Sequence, residues 1–282
     1  MTGGELEALA GLFRDRRHEF EIFRRGVVDY FSLFPELNAP PFPVIHSIKS
    51  RLKDPAHLRD KIVRKLKDGP ITPENFFQRV TDLTGVRVMH LHQKQVVPIH
   101  NAIQARIVAK DWVLHEPPTA YSWDPESRAL YEGLPVRTEI KESYYTSVHY
   151  LVRPRADSPV CCEIQVRTLF EEAWGEIDHA INYPTPTQSV ACREQLRVLA
   201  RLVSTGTRLA DAIFRTWEDH VVAWANAGDK GPPGAPAGPP PPAEPLAARA
   251  DAGDQGRPGA PAGPVPAAEP LNHAPGAGTR QT

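Results

Sequence analysis

The run Cys162-Glu163-Ile164-Gln165-Val166-Arg167 alternates polar and apolar residues. Side chains on a strand alternate faces, so Glu163, Gln165 and Arg167 share one side and Cys162, Ile164 and Val166 the other. One side suits a core. The other sets a carboxylate, an amide and a guanidinium in line, a set able to hold a cation and accept a proton. The same alternation also marks a plain half-buried strand with a solvated outer face. Tyr145 to Arg153 repeats the pattern, with Tyr145, Ser147, His149 and Arg153 on one side. An aromatic ring and an imidazole on one face could stack on and hydrogen-bond a base, or could be ordinary surface residues.

Two further segments carry charge. Lys49, Arg51 and Lys53 share a strand face, and His57, Lys61, Arg64 and Lys65 form a stripe on the helix expected next. A solvated basic face and a polyphosphate site both fit this crowd of cations. Asp82-Leu83-Thr84-Gly85-Val86-Arg87 puts an Asp where a helix is expected to hand over to a strand, with Gly85 permitting a sharp turn. An Asp there is either a metal ligand at a sheet edge or a solvated turn residue. His90 and His92 share a face, but no third metal ligand lies nearby. No Walker-type phosphate loop, dinucleotide glycine motif or nucleophile elbow is present.

These residues need elements to hold them. Leu6, Leu9, Leu12, Phe13, Phe20 and Phe23 recur at helical spacing and predict a helix over 5–33. Strands are expected near 44–52, 86–91, 111–116, 135–141, 146–153 and 160–167. Asp54-Pro55 starts a helix running to about Lys67, and Thr72-Pro73-Glu74 one ending near Leu83. Further helices are expected over 97–110, from a Thr168 cap to about Tyr183, and over 189–226. Helices before, between and after strands make a mixed α/β domain, whose strand order the sequence leaves open.

Composition divides the 282 residues unevenly. Residues 228–282 are Pro, Ala and Gly with hardly any large apolar side chain, and predict a disordered tail. Gly228–Leu246 and Gly253–Leu271 repeat within it, as a duplicated linker does. The tail holds four basic and five acidic residues, which leaves 29 of each in the body. A neutral body argues against broad nonspecific binding to duplex nucleic acid. Three cysteines make no disulfide framework and fit a reducing cytosol. No apolar run approaches a membrane span, and no signal-peptide core opens the chain. A cytoplasmic protein is expected.

Taken in order, the segments resemble the synthetase domain of the RelA/SpoT alarmone family. Its motifs correspond to Arg51, Lys53 and Lys61; to Asp82, Gly85 and Arg87; to Lys141, Tyr145, Ser147 and His149; and to Glu163, Gln165, Arg167 and Thr168, followed by Trp174 and His179. The resemblance covers roughly residues 44–185. It implies a nucleotidyltransferase-like mixed sheet flanked by helices, and transfer of pyrophosphate from ATP to the 3′-hydroxyl of GDP or GTP in a stringent-type response. On the matching positions, Arg51, Lys53, Lys61 and Arg87, with His57 and Arg64 of the basic stripe, would hold ATP. Asp82 and Glu163 would bind Mg2+, and Glu163 would help deprotonate the hydroxyl. Tyr145 would stack on the acceptor base, with Lys141, Ser147, His149, Gln165 and Arg167 around it. Transfer at phosphorus is mostly positioning and charge neutralisation, which two carboxylates among cations can supply.

The chain departs from the family pattern at His57, where Ser is usual, at Tyr144 in place of Gly, and at Thr146 in place of a basic residue. Tyr144 would narrow the acceptor pocket and Thr146 would remove a phosphate contact. About 43 residues precede the domain, too few for the hydrolase domain of long members, so a small stand-alone synthetase is expected. The expected layout is a helical extension over 1–43, a synthetase core over 44–185, a helix over 186–227 and the tail. Small members form tetramers through flanking helices, which suggests a homo-oligomer. Two other readings stay open. One is a toxin that pyrophosphorylates tRNA 3′ ends or adenine nucleotides, with a neighbouring antitoxin. The other is an inactive nucleotide-binding module, against which the intact Asp82 and Glu163 argue.

Overall fold

The structure is a computed structural model; it describes residues 2–227 other than 41 and 184. The repeated tail lies outside the described residues.

The chain opens with α1 (Gly3–Leu33), capped by Thr2 and Glu5 in a reciprocal box. Its apolar stripe buries Leu9, Phe13, Phe20, Val27 and Phe31. A short α2 (Pro35–Asn38) leads to β1 (Ser47–Leu52) and α3 (Pro55–Lys65), where the Asp54 side chain accepts from His57 N–H at 3.4 Å. After a 3-10 turn come α4 (Phe76–Arg79), β2 (Thr84–His90) and, past a second 3-10 turn, α5 (Val96–Val108). Next are β3 (Val113–Leu114), β4 (Thr119–Tyr121), α6 (Pro125–Glu132) and β5 (Arg137–Glu139). The domain ends with β6 (Ser147–Arg153), β7 (Cys162–Thr168), α7 (Leu169–Asn182) and α8 (Val190–Ala227).

Seven strands form one mixed sheet in the order β1-β2-β7-β6-β4-β5, with β3 also paired to β6. The β2–β7 and β4–β5 pairs are parallel and the others antiparallel. One sheet face carries Val86, Val88, Val148, Tyr150, Val152, Ile164 and Val166 into the main core, against α5 and the C-terminal half of α1. A second cluster joins Leu9, Phe13 and Phe20 of α1 to Leu58 and Ile62 of α3 and to Phe76, Val80 and Leu83. The other sheet face is polar.

Three expectations need correction. The helix from Thr72 to Leu83 shrinks to four residues. Asn75 accepts from Thr72 N–H at 2.8 Å, Arg79 donates to the carbonyls of Asp68 and Pro70, and Val80 turns into the core, so local side-chain bonds replace helical ones. The strand expected near 111–116 is the two-residue β3, and β4 and α6 after it were not foreseen; Asp124-Pro125 starts α6 as Asp54-Pro55 starts α3. Gly85 makes no sharp turn. It lies within β2, opposite Arg51 and Glu163, and only Gly69 among the described glycines has positive φ.

The helices flanking the core differ in exposure. α1 buries Leu9, Phe13, Phe20, Val27 and Phe31 and exposes Ile22 and Leu33, whereas α8 leaves Val198, Leu202, Leu209 and Ile213 exposed. No helix among the described residues is long and apolar enough to cross a membrane.

Candidate functional site

Register places the polar residues in rows across the sheet. Arg51, Gly85 and Glu163 are cross-strand neighbours on β1, β2 and β7. One pleat along, Lys49, Arg87, Gln165 and His149 continue onto β6. Directly paired residues lie on one face, so these side chains must converge. All of these but His149 line a cleft of about 430 Å³ that also receives Lys53 and Asp82. Gly85 adds no side chain between Arg51 and Glu163; a Cβ there would meet only a carbonyl, at 3.8 Å. Its effect is to leave the cleft floor low.

Asp82 sits on the turn before β2. Its Oδ2 accepts from Lys53 Nζ and Lys61 Nζ, each at 3.1 Å. Burial alone would push this carboxyl up, but the two ammonium groups outweigh it and hold Asp82 below its ordinary value. Its other oxygen, Oδ1, is buried with no hydrogen-bond partner.

Glu163 is held from both sides. His149 Nδ1 lies 3.0 Å from Oε1, and Gln165 Nε2 donates to Oε2 at 2.8 Å. Burial again opposes the charge, and the His149 bond and charge prevail, so Glu163 is also shifted down. The charge of Asp82 acts on Glu163 in the opposite sense, as expected of two carboxylates in one cleft. The chain of contacts continues outward. His149 Nε2 is 2.9 Å from the Tyr145 hydroxyl, Tyr121 packs edge-on against His149, and Lys141 Nζ lies 4.2 Å from the Tyr121 ring centroid.

Two acidic residues on α7 enter the site unforeseen. Thr168 and Glu171 form a capping box that starts α7 at the end of β7. The helix then lays Glu172 and Glu176, one turn apart, against the sheet. Glu172, 4 % exposed, accepts from Lys49 at 3.0 Å and Arg87 at 3.1 Å, and its Oε2 stands 2.9 Å from Arg167. Arg87 also bonds Glu176. Burial pushes Glu172 up, but Arg167, Lys49 and Arg87 reverse this and keep it low. The i, i+4 pair was legible in the sequence; its direction toward Arg87 was not.

Not every expected residue reaches the cleft. His57 and Arg64 both face the ring of Tyr183, at 5.9 and 5.8 Å. Ser147 is fully buried, and its hydroxyl donates to the Val166 carbonyl at 3.4 Å. Arg167 is 3 % exposed, braced by Gln165 and Glu172, with its guanidinium 5.7 Å from the Tyr145 ring. Tyr144 turns away from Tyr145. It adopts φ 64° and packs on Trp123 at 5.0 Å, so it narrows nothing at the cleft. Thr146 is buried beside Ser122 on that same far side. His92 pairs with Asp211 at 2.6 Å instead of joining His90. Burial pushes the Cys161 thiol up to about 12 and raises Cys162 well above the ordinary thiol value, which makes both inert.

Among the described residues no three His, Cys, Asp or Glu side chains are grouped to hold a metal by themselves. Two ionised carboxylates in one cleft, one with an orphaned oxygen, suit a hard cation that takes its remaining ligands from water and substrate oxygens. With the surrounding lysines and arginines, the arrangement can neutralise a polyphosphate and take a proton from a hydroxyl beside it.

The profile described as the region found in RelA / SpoT proteins matches residues 50–188. Solved structures with the same fold include small alarmone synthetase 1 from Bacillus subtilis, at TM-score 0.55 and 19% identity, over 74% of this chain and 96% of that one. The form of that synthetase bound to its product pppGpp aligns at TM-score 0.51 and 20% identity, over 74% and 95% of the two chains. A GTP pyrophosphokinase family protein from Streptococcus pneumoniae aligns at TM-score 0.54 and 19% identity, over 80% and 98%. No curated protein matches the chain in sequence.

Proposed function

The chain belongs to the RelA / SpoT family, and on that premise we propose that it transfers the β,γ-pyrophosphate of ATP to the 3′-hydroxyl of GDP or GTP. The observation that carries this reading is the convergence of Asp82 and Glu163, both held ionised, with Arg51, Lys53 and Arg87 in one cleft. Asp82 Oδ1 and the Glu163 carboxylate would hold Mg2+, which when bound supplies charge neutralisation to the transferring phosphates.

The protein's own groups do the remaining work. Lys53 and Lys61 already bracket Asp82, and Arg51 and Arg87 flank Glu163 in the sheet rows, so the donor phosphates would lie over the β1–β2 side. Tyr145 would carry the acceptor base on the β6 side. Glu163, between them, would accept the proton of the 3′-hydroxyl as its oxygen attacks the β-phosphorus. The bond from that phosphorus to the α-phosphate oxygen breaks and AMP departs. His149 holds Glu163 in place and favours its charged form, so the base is ready before the substrates arrive. The exposed apolar side of α8 supports self-association.

The test is incubation of purified protein with Mg2+, β-labelled ATP and GDP or GTP. AMP and a 3′-pyrophosphorylated guanine nucleotide are expected. Absence of AMP with every guanine nucleotide would overturn the reading.

A further inference from the structure

One buried carboxylate on α7 reaches residues of three strands. Glu172 and Arg167 are 4 % and 3 % exposed, and a charge taken out of water is tolerated only with a partner. Glu172 Oε2 stands 2.9 Å from Arg167 Nη2. That nitrogen in turn donates to Gln165 Oε1 at 3.2 Å, and Gln165 Nε2 donates to Glu163 Oε2 at 2.8 Å. The other oxygen of Glu172, Oε1, accepts from Lys49 on β1 and Arg87 on β2.

The direction of the Gln165 amide is what this chain of contacts settles. An amide has a donor end and an acceptor end, and an ionised carboxylate takes only the donor. Gln165 gives Nε2 to Glu163 while its Oε1 is satisfied by Arg167. With the guanidinium withdrawn the amide is free to turn, and turned over it would set oxygen against oxygen at Glu163. Glu172 keeps the guanidinium in place. Glu163 is thus fixed from two sides, by His149 across the sheet and by this relay from the helix.

We infer that Glu172 is a positioning residue: through Arg167 and Gln165 it orients the Glu163 carboxylate and ties it to the cations of β1 and β2. That the oriented carboxylate serves as a base rests on the proposed transfer; the relay itself does not.

The full-length chain labelled with 15N at glutamine reports the relay without turnover. The Gln165 side-chain amide signal is identified by its loss in Gln165→Met. Its two proton shifts should be well separated, because one proton is bonded to a carboxylate and the other is not. In Glu172→Gln the separation should shrink. Arg167→Lys keeps a charge beside Glu172 and loses the fork that reaches Gln165, so it should give the same change, and it serves if Glu172→Gln does not fold. An unmoved Gln165 signal would overturn the inference.

Initial rates of AMP release give the second readout. Glu172→Gln should lower kcat about 10-fold or more, the scale of one hydrogen bond to a charged group. KM for ATP should move less, since Arg87 keeps its bond to Glu176. In a Gln165→Met background the same substitution should cost little further kcat; losses that multiply would place Glu172 outside the relay and overturn it. A wild-type chain that releases no AMP but shows the Glu172-dependent signal removes the proposed reaction and keeps the relay. AMP release with that signal unmoved does the reverse.

Discussion

His149 stands 3.0 Å from Glu163, ring Nδ1 to carboxylate Oε1, across the β6–β7 pair. The imidazole offsets the burial that would otherwise raise the Glu163 pKa. In His149→Ala that support is gone and the carboxyl titrates at higher pH. The acidic limb of the pH–rate profile for AMP release should therefore move upward. Glu163→Gln keeps the shape and loses the base, and should lower kcat by about 100-fold or more without unfolding the protein, as circular dichroism would show. A profile unmoved in His149→Ala would separate the pair from the chemistry.

Asp82 has one oxygen occupied by Lys53 and Lys61 and one buried oxygen without a partner. Asp82→Asn removes the charge that a hard cation needs. The Mg2+ concentration giving half-maximal rate should rise about tenfold or more. An unchanged Mg2+ titration with reduced activity would assign Asp82 to lysine positioning alone.

Glu176 holds Arg87 from the exposed side of α7. A donor phosphate must compete with it for that guanidinium. Glu176→Gln removes the competitor's charge, and KM for ATP should fall severalfold while kcat changes little. Initial-rate kinetics at saturating acceptor decide this, and a raised KM would count against it.

Glu171 is buried in the capping box of α7, and burial pushes its carboxyl up to about 7, although the Thr168 backbone and hydroxyl pull the other way. Its folded pKa is raised above the unfolded value near 4.5. The stability it contributes is thus present in full below that unfolded value and lost as pH rises through 7. By pH 8 the deprotonated group costs roughly 3 kcal/mol. The melting temperature should drop between about pH 4.5 and 7.5 and level off above, and Glu171→Gln, which can still accept at the cap, should flatten that drop.

Tyr144 holds φ 64° while packing on Trp123. A left-handed conformation costs a non-glycine residue about 1–2 kcal/mol. Tyr144→Ala loses the ring contact and keeps the strain, whereas Tyr144→Gly loses the contact and relieves it. The glycine variant should be the more stable of the two by about 1 kcal/mol in urea unfolding. The opposite order would show that the loop relaxes around alanine.

Much of this molecule was legible from local patterns. The alternation around Glu163 gave the face of β7, because period-two side-chain direction is a property of the strand itself. Asp54-Pro55 and Thr168 marked helix starts, because a cap satisfies the backbone groups of its own first turn. Short elements escaped. β4 has three residues and α6 eight, too few for periodicity to stand out. The Thr72–Leu83 helix was overestimated because Asn75 and Arg79 bond to carbonyls and amides of the loop before it.

The sequence by itself determined which residue types could make a phosphate-transfer site, and on which face of each strand they lie. Tertiary structure alone decided which of them meet. Parallel pairing of β2 with β7 sets Gly85 beside Glu163, and the α4–β2 turn carries Asp82 to the same cleft, across about 80 residues of chain that local pattern cannot bridge. Only the packing of α7 on the sheet turns Glu172 toward Arg87, while His57 and Ser147 fall outside. The reason is physical: side-chain direction along a strand or helix is fixed by local geometry, but contact between elements is fixed by register and by which apolar faces must be buried together.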